Sequence, residues 1–476
     1  MRVEGIVFLS LVLDLFAFTI PLPLFPRLIE WYTQRESSIP NGLLSRTLGF
    51  VSAIRSYFLQ SAARNPQKWD VVLLGGLMGS VFSALQWFIS PYIGVLSDKY
   101  GRRRVLLITM IGNILSAVVW VQSTSFASYM LSRVIGGISE GNVQLAIAIL
   151  SDITTPANRS KALAHVGIAF AICFIIGPPI GAYFASKPLP SAFRIQGFEL
   201  NVYATPALLT LVLLLLETLF LIVALPETRG RPKQVEGGVK KEKTNGAAKG
   251  KTNGHAAPKK ASVGERLRLL KKLRMLHFAF LAIFSGVEFT LTFLTYDLFD
   301  WDNRQNGALI GSIGVVSALV QGGYVRRAIA KVGEGEMASR GILSCWIGLA
   351  CLSLVPRYVN SNPSLSVNLL WVAAICLAFT SATVVNSLTS YASLQCDEGV
   401  VDQDTGKVTQ EHPELAKGKA LGQFRSSGQL GRALGPLFAC GLYWTFGPSK
   451  TYAGSAVLMY GVYRLAKALA ANPISA

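Results

Sequence analysis

Charge is what this chain is shortest of for its size. Asp, Glu, Lys and Arg make up 15% of its 476 residues, where an average soluble protein carries about 25%. So little charge excludes a water-soluble enzyme or binding protein as the working reading and leaves a chain that runs mostly through lipid. Acid is scarcer than base: 26 Asp and Glu stand against 45 Lys and Arg, a formal net charge of +19. The bases lie in loops between apolar runs and no nucleic-acid motif accompanies them, so the excess points to a membrane surface and not to nucleic acid. Histidine is rare, four in all, with no His-x-x-x-His pair. Of the six cysteines (Cys173, Cys345, Cys351, Cys376, Cys396 and Cys440), all but Cys396 fall in apolar runs without paired spacing. No disulfide framework, metal site or other cofactor is expected from them. A small-residue cleavage site is absent after Val3 to Phe25, which therefore reads as a retained first helix.

What the chain does have is apolar length. With 51% hydrophobic residues and a mean hydropathy of +0.43, it presents runs at about 3–25, 71–96, 105–121, 126–150, 162–186, 203–225, 276–298, 307–329, 338–355, 367–391, 420–446 and 451–468. Each approaches the ~20 residues that cross a bilayer core, and the last is the weakest because Arg464 and Lys467 cut it short. Six runs, a polar interval and six more predict an all-α membrane protein of twelve transmembrane helices in two six-helix bundles. The domains expected are 1–226, a basic linker at 227–274, and 275–476. The interval holds 15 bases against 4 acids, a net of +11, and its Gly, Ala, Lys and Asn-rich middle from Val235 to Lys260 is expected to be disordered. Ser262 to Arg274 reads as a basic amphipathic helix on the membrane surface. The Lys and Arg asymmetry puts the linker, Lys99 with Arg102 to Arg104, Arg326, Arg327, Lys331 and both termini in the cytoplasm. Two extra stretches, Pro26 to Asp70 outside and Gln395 to Gly418 inside, read as tolerated surface loops.

Between the second and third runs stands Gly94-x-Leu96-x-Asp98-Lys99-x-Gly101-Arg102-Arg103. The glycines permit close helix approach and a tight turn, and Asp98 can pair with a cation or with the N-terminus of a neighbouring helix. A positive loop with one pairing acid would serve equally in an unrelated membrane protein. This spacing resembles the loop 2–3 signature of the major facilitator superfamily. The resemblance implies that Gly94, Asp98, Gly101, Arg102 and Arg103 form a latch joining the two halves on the cytoplasmic side when the cavity opens outward. The second half repeats the turn as Gln321-Gly322-Gly323-Tyr324-Val325-Arg326-Arg327, with Lys331-Val332-Gly333 beyond, but no aspartate matches Asp98. That latch is either weakened or built differently.

In the fourth run Arg133, Gly137, Glu140 and Gln144 are spaced 4, 3 and 4 apart, which puts them on one helical face. A charged stripe inside a span is expensive to insert and should face a water-filled cavity. With Asp14 near the middle of the first helix, two readings stay open. Asp14 and Glu140 compete for Arg133, one carboxyl being protonated in one conformational state, or the charges form a static pair that fixes packing. In the second half Glu288 falls mid-way along the seventh helix, and Arg425, Gln429 and Arg432 share a face of the eleventh. Arg425 is near enough to the helix end to snorkel, which leaves Arg432 the stronger candidate to receive an anion. Glu217 in the sixth helix ranks below these. The proton-coupling candidates are Asp14, Glu140 and Glu288, and the substrate-cavity candidates are Asp14, Arg133, Glu140, Gln144, Gln429 and Arg432.

Gly177-Pro178-Pro179-Ile180-Gly181, with Gly167 before it, frees carbonyls, bends the fifth helix and permits close packing across the half interface, unless it is an ordinary kink. It resembles the helix-five signature of the antiporter branch, loosely repeated at Gly431 to Pro436, and Pro226 to Arg231 resembles the family's half-end motif. The run from Arg133 to Val143, with Ser151-Asp152 and Gly177-Pro178, resembles the tetracycline-transporter-like branch. That likeness implies a secondary active transporter, not an enzyme, working by alternating access. The cargo implied is organic anions or drug-like small molecules, exported with proton coupling. The partners are then a small-molecule substrate, protons and membrane lipid, and the protein acts as a monomer in the plasma membrane or an internal vesicular or vacuolar one. A uniporter or symporter of a small metabolite, or a non-transporting receptor or scaffold, stays open. Two decoys are set aside. Gly137-Ile138-Ser139-Glu140-Gly141 imitates a hydrolase elbow but has no strand before it, and Gly246 to Thr252 is one residue short of a P-loop in a low-complexity linker.

Overall fold

The structure is a computed structural model that describes residues 2–21, 24–36, 39, 41–58, 66–185, 200–230, 262–301, 303–397, 399–401, 408–409 and 411–471. The linker middle at 231–261, with its expected disorder and the Gly246 to Thr252 decoy, lies outside the described residues.

Inside hydrocarbon every backbone N–H and C=O must be satisfied within its own segment, which dictates helices for runs this apolar. The first half contains α1 (Val3–Thr19), α2 (Phe25–Arg35), α3 (Leu43–Phe58), α4 (Pro66–Tyr100), α5 (Arg102–Val121), α6 (Phe126–Ser139), α7 (Asn142–Ile153), α8 (Pro156–Ala185) and α9 (Ala204–Ala224). The second half follows with α10 (Val263–Phe299) and α11 (Asn303–Leu319), which passes through a π-helical turn at Val320–Val325 into α12 (Arg326–Val332). Then come α13 (Glu334–Tyr358), α14 (Pro363–Leu394), α15 (Lys417–Phe446) and α16 (Pro448–Ala471). Between α14 and α15 lies a small antiparallel pair, β1 (Val400–Val401) and β2 (Val408–Thr409), with Val400 opposite Thr409.

These segments make twelve crossings in two six-helix bundles. Helices α2 and α3 belong to the 26–70 insertion, α6 and α7 share the fourth crossing, and α11 and α12 share the eighth. Among the described residues nine helical runs are long and apolar enough to cross a membrane. Each half closes around its own core: Leu11, Leu15, Met110, Ile149 and Leu221 in the first, Phe280, Leu294, Ile342, Leu377 and Met459 in the second.

Two expectations change. The 26–70 insertion is docked, not loose. Leu28, Ile29 and Tyr32 of α2 pack with Trp120, Phe126, Tyr129 and Ala207. Tyr32 Oη donates to the Ser123 carbonyl at 2.9 Å, and Glu36 Oε1 accepts the Phe126 N–H at 2.6 Å, which caps α6. The basic segment before the seventh crossing is helical, but it runs unbroken into α10, begun by a reciprocal Ser262–Glu265 capping box. Leu269, Leu270, Leu273 and Leu276 bury against the second core, so protein and not lipid covers that face.

Candidate functional site

At the end of the molecule bearing the α4–α5 turn, the two halves are tied together by one ion network. Asp98 closes α4 and accepts the N–H groups that open α15: Oδ1 from Gly418 at 3.0 Å and Oδ2 from Lys419 at 2.7 Å. A carboxylate there meets the positive pole of the helix and its unsatisfied N–H groups together. Asp98 also pairs with Arg102 at 2.8 Å and Arg229 at 3.1 Å. Arg102 reaches Asp152 at 2.8 Å, Asp152 takes Lys417 at 3.2 Å, and Arg229 takes Glu411 at 2.7 Å. Three carboxylates thus meet three cations, and Arg102 is wholly enclosed. Burial of such charges is tolerated because each is answered at hydrogen-bonding distance.

The glycines of the turn have separate reasons. Gly94 faces Gly418 so closely that a Cβ would collide with its carbonyl oxygen, and one on Gly422 would lie 2.8 Å from the Ser90 carbonyl oxygen. Gly101 has φ +98°, the left-handed region that favours glycine. Past it the Glu227 carboxylate accepts the Arg102 N–H at 2.8 Å and the Arg103 N–H at 3.2 Å, which caps α5 from the end of the first half. Arg103 itself donates to the Ile222 carbonyl at 2.6 Å.

The second half repeats the device with its acid displaced. Gly333 has φ +86° at the matching place, and the acid is Glu334, one residue after the glycine. The Glu334 carboxylate accepts the Ser160 hydroxyl of α8, Ser160 meets Ser390 Oγ at 2.7 Å, and Arg159 Nη1 donates to the Ser393 carbonyl at 3.0 Å. Among the described residues this second seam is built from the Ser160 and Ser390 hydroxyls, the Glu334 carboxylate and Arg159.

Deeper in, the fourth crossing breaks. Glu140 has ψ 97° and Gly141 ψ −8°, so α6 stops at Ser139 and α7 starts at Asn142. Irregular backbone at membrane depth occurs where it lines a cavity or is buried in protein. The break undoes the single face expected of Arg133, Gly137, Glu140 and Gln144. Arg133 lies over the rings of Tyr129 at 5.4 Å and Trp120 at 5.8 Å, a cation–π site in α5 and α6. Gly137 packs on Leu85 and Phe82 of α4. Gln144 is buried and donates to the Ser90 carbonyl at 2.8 Å. Glu140 instead lies beside Asn113 and within electrostatic reach of Arg425 of α15. Asp14 Oδ1 accepts Asn142 Nδ2 at 2.6 Å, and its strongest charged neighbours are Glu140 and Arg425. Arg425, read from the sequence as a snorkelling side chain, thus turns into the seam between the halves. Glu217 is fully buried, with Oε1 accepting the Ser10 hydroxyl at 2.7 Å, so it faces α1 and not lipid.

Across the same space Glu288 and Arg432 approach within 3.8 Å while 45% and 42% exposed. A charged pair this accessible, mid-way along two helices of a membrane bundle, would be costly against acyl chains. Gln429 is half-buried one turn from both Arg425 and Arg432. The helix-five glycines have a different partner from the one expected. A Cβ on Gly177 would strike Thr19 Oγ1 and one on Gly181 the Ile20 carbonyl oxygen, so they let α8 cross α1 within its own half. Of the helix-five glycines it is Gly167 that faces the other half, at Asn386 and Gln321. Pro178 and Pro179 lie inside α8, which continues to Ala185. Lys417, Asp152, Arg229, Glu411 and Glu334 were not among the sequence candidates. Asp152 and Arg229 stood only inside stretches of family likeness, and Lys417, Glu411 and Glu334 had no signal beyond their charge.

The Major Facilitator Superfamily model matches residues 7–436. The chain is 34% identical over 456 residues to major facilitator superfamily domain-containing protein 10 of Homo sapiens, covering 95% of this chain and 89% of that one. The crystal structure of the human organic anion transporter MFSD10 (TETRAN) superposes with a TM-score of 0.76 at 29% identity, over 98% of this chain and 99% of that one. Multidrug resistance protein 2 of Bacillus subtilis is 32% identical over 151 residues, 31% of this chain and 37% of that protein.

Proposed function

The chain belongs to the major facilitator superfamily, and from that premise we propose that it exports organic anions or drug-like small molecules by alternating access, with protons as the coupled ion. It is a multi-pass membrane transporter of small molecules and not an enzyme. Its structural relative MFSD10 is named as an organic anion transporter and the Bacillus protein for multidrug resistance, and both support the cargo class. The observation that carries the reading is the interrupted fourth crossing. It brings Glu140 and Asp14 within electrostatic reach of Arg425, while Glu288 approaches Arg432 at 3.8 Å.

In this scheme Arg425 and Arg432 receive the anionic group of the substrate, and Asp14, Glu140 and Glu288 carry the protons. A carboxylate and a bound anion compete for one guanidinium, so occupancy and protonation are linked. The first body is 1–226; the second is 275–476 together with residues 263–274, which pack on its core; the remainder of 227–274 joins them. Because Lys and Arg concentrate at the latched end, that end and both termini face the cytoplasm, and the conformer described is shut there.

Proteoliposomes with an imposed pH gradient test the scheme. Exchange predicts faster anion entry when the vesicle interior is acid. A second reading, co-transport of anion with proton, is favoured by the Glu288–Arg432 contact, since a bound anion would leave its displaced carboxyl protonated beside it; it predicts faster entry when the exterior is acid. Flux indifferent to either gradient, or unaltered by both Asp14→Asn and Glu140→Gln, removes the proton role.

A further inference from the structure

We propose that the lateral groove between α10 and α15, walled on one side by Trp87 of α4, binds an anionic phospholipid from the leaflet at the latched end. The groove has a volume of about 480 Å³. Lys271 and Arg274 stand at its rim, and Trp87, Met275, Phe278 and Leu430 form its floor. Arg274 Nη1 donates to Gln423 Oε1 at 2.8 Å, which fixes one edge of the guanidinium in place. Glu414, the acid at the rim, is engaged by Lys419.

Two features select a lipid over a soluble anion. Basic residues crowd α10 up to Arg274 (Arg266, Arg268, Lys271, Lys272), and from Met275 to Phe299 there is neither Lys nor Arg. That switch marks the level where headgroups give way to hydrocarbon. The groove straddles it: Lys271 and Phe278 are seven residues apart, or about 10 Å along the helix, which matches the order of headgroup and acyl chain. The floor also opens sideways, since Met275 is 55% and Trp87 42% exposed. Trp87 walls the groove only while the halves touch, where the Ser426 hydroxyl of α15 donates to the Trp87 carbonyl at 2.6 Å. Lipid bound there contacts both halves and favours the conformer latched at this end.

Native mass spectrometry of the full chain tests this, with phosphatidylglycerol, phosphatidylcholine or glycerophosphate added. Phosphatidylglycerol should be retained over phosphatidylcholine, and glycerophosphate, which has the headgroup charge without the chains, should not displace it. The Lys271→Gln/Arg274→Gln variant should bind phosphatidylglycerol about thirtyfold more weakly, the factor two surface charges confer. Lys331→Gln, an exposed base at the same end, should leave binding unchanged. Should the double variant fail to fold, Lys271→Gln alone, at an exposed position, carries the test with an expected loss of about fivefold. Equal retention of both lipids, wild-type retention by the variant that carries the test, or loss of retention in Lys331→Gln overturns the site, and displacement by glycerophosphate makes it a soluble-anion site instead.

Discussion

In the proposed latch Asp98 acts by two means, charge and hydrogen-bond acceptance, and they can be separated. Asp98→Asn keeps an acceptor for α15 but loses the charge that answers Arg102 and Arg229. Cys396 reports the result, since burial encloses its thiol at the same end and pushes it up to about 12. A thiol held that high is almost entirely protonated near neutral pH, so its reactivity rises with any loosening of the packing around it. Alkylation of Cys396 should rise in Asp98→Asn, by about tenfold for every 1.4 kcal/mol removed from the closed state, as read by peptide mass spectrometry. Gly94→Ala attacks the same contact sterically, because the added Cβ would lie 2.8 Å from the Gly418 carbonyl carbon. Overpacking of about 2 kcal/mol predicts roughly a thirtyfold loss of the latched conformer. The two arginines separate cavity from scaffold. Arg425→Gln should abolish anion flux, whereas Arg133→Gln should spare flux and lower stability by about 1 kcal/mol through the lost cation–π contacts.

At the scale of elements, the twelve crossings and the α4–α5 turn were legible because each is a local pattern: apolar length, or residues in fixed register within a dozen positions. The partners of the turn were not legible. Lys417 and Glu411 lie more than 300 residues beyond Asp98, and only the fold brings α15 against α4. The break in the fourth crossing was hidden too. Gly141 alone does not stop a helix, and the 4, 3, 4 spacing across it imitated an unbroken face. Arg425 was misjudged because distance from a helix end does not say which way a side chain turns. The 395–418 insertion joins the latch through Glu411, whose carboxyl burial pushes above its ordinary value while Arg229 opposes the shift. A carboxyl raised in the closed state binds its proton more tightly there than in the open one. Its contribution therefore favours closure at acid pH and fades as pH climbs through the raised value. Glu411→Gln should flatten that dependence of Cys396 alkylation while leaving the chain folded.

For the molecule as a whole, what matters is that two separate cores meet along two unlike seams, ion pairs on one flank and hydroxyls on the other. Loss of one partner from a buried ion pair costs about 3–5 kcal/mol, against about 1.5–3 kcal/mol for a hydrogen bond to a charged group such as the Glu334 carboxylate. Ser160→Ala should accordingly loosen the closed end less than Arg102→Gln, measured on one scale as the rate of Cys396 alkylation. A last consequence follows from α10. Its 37 residues extend about 55 Å, well beyond the ~30 Å of hydrocarbon, as one stiff rod rooted in the second core. Whatever grips or tugs the chain just ahead of Ser262 is therefore pulling on a crank handle, and the torque arrives at the second bundle undiminished by slack.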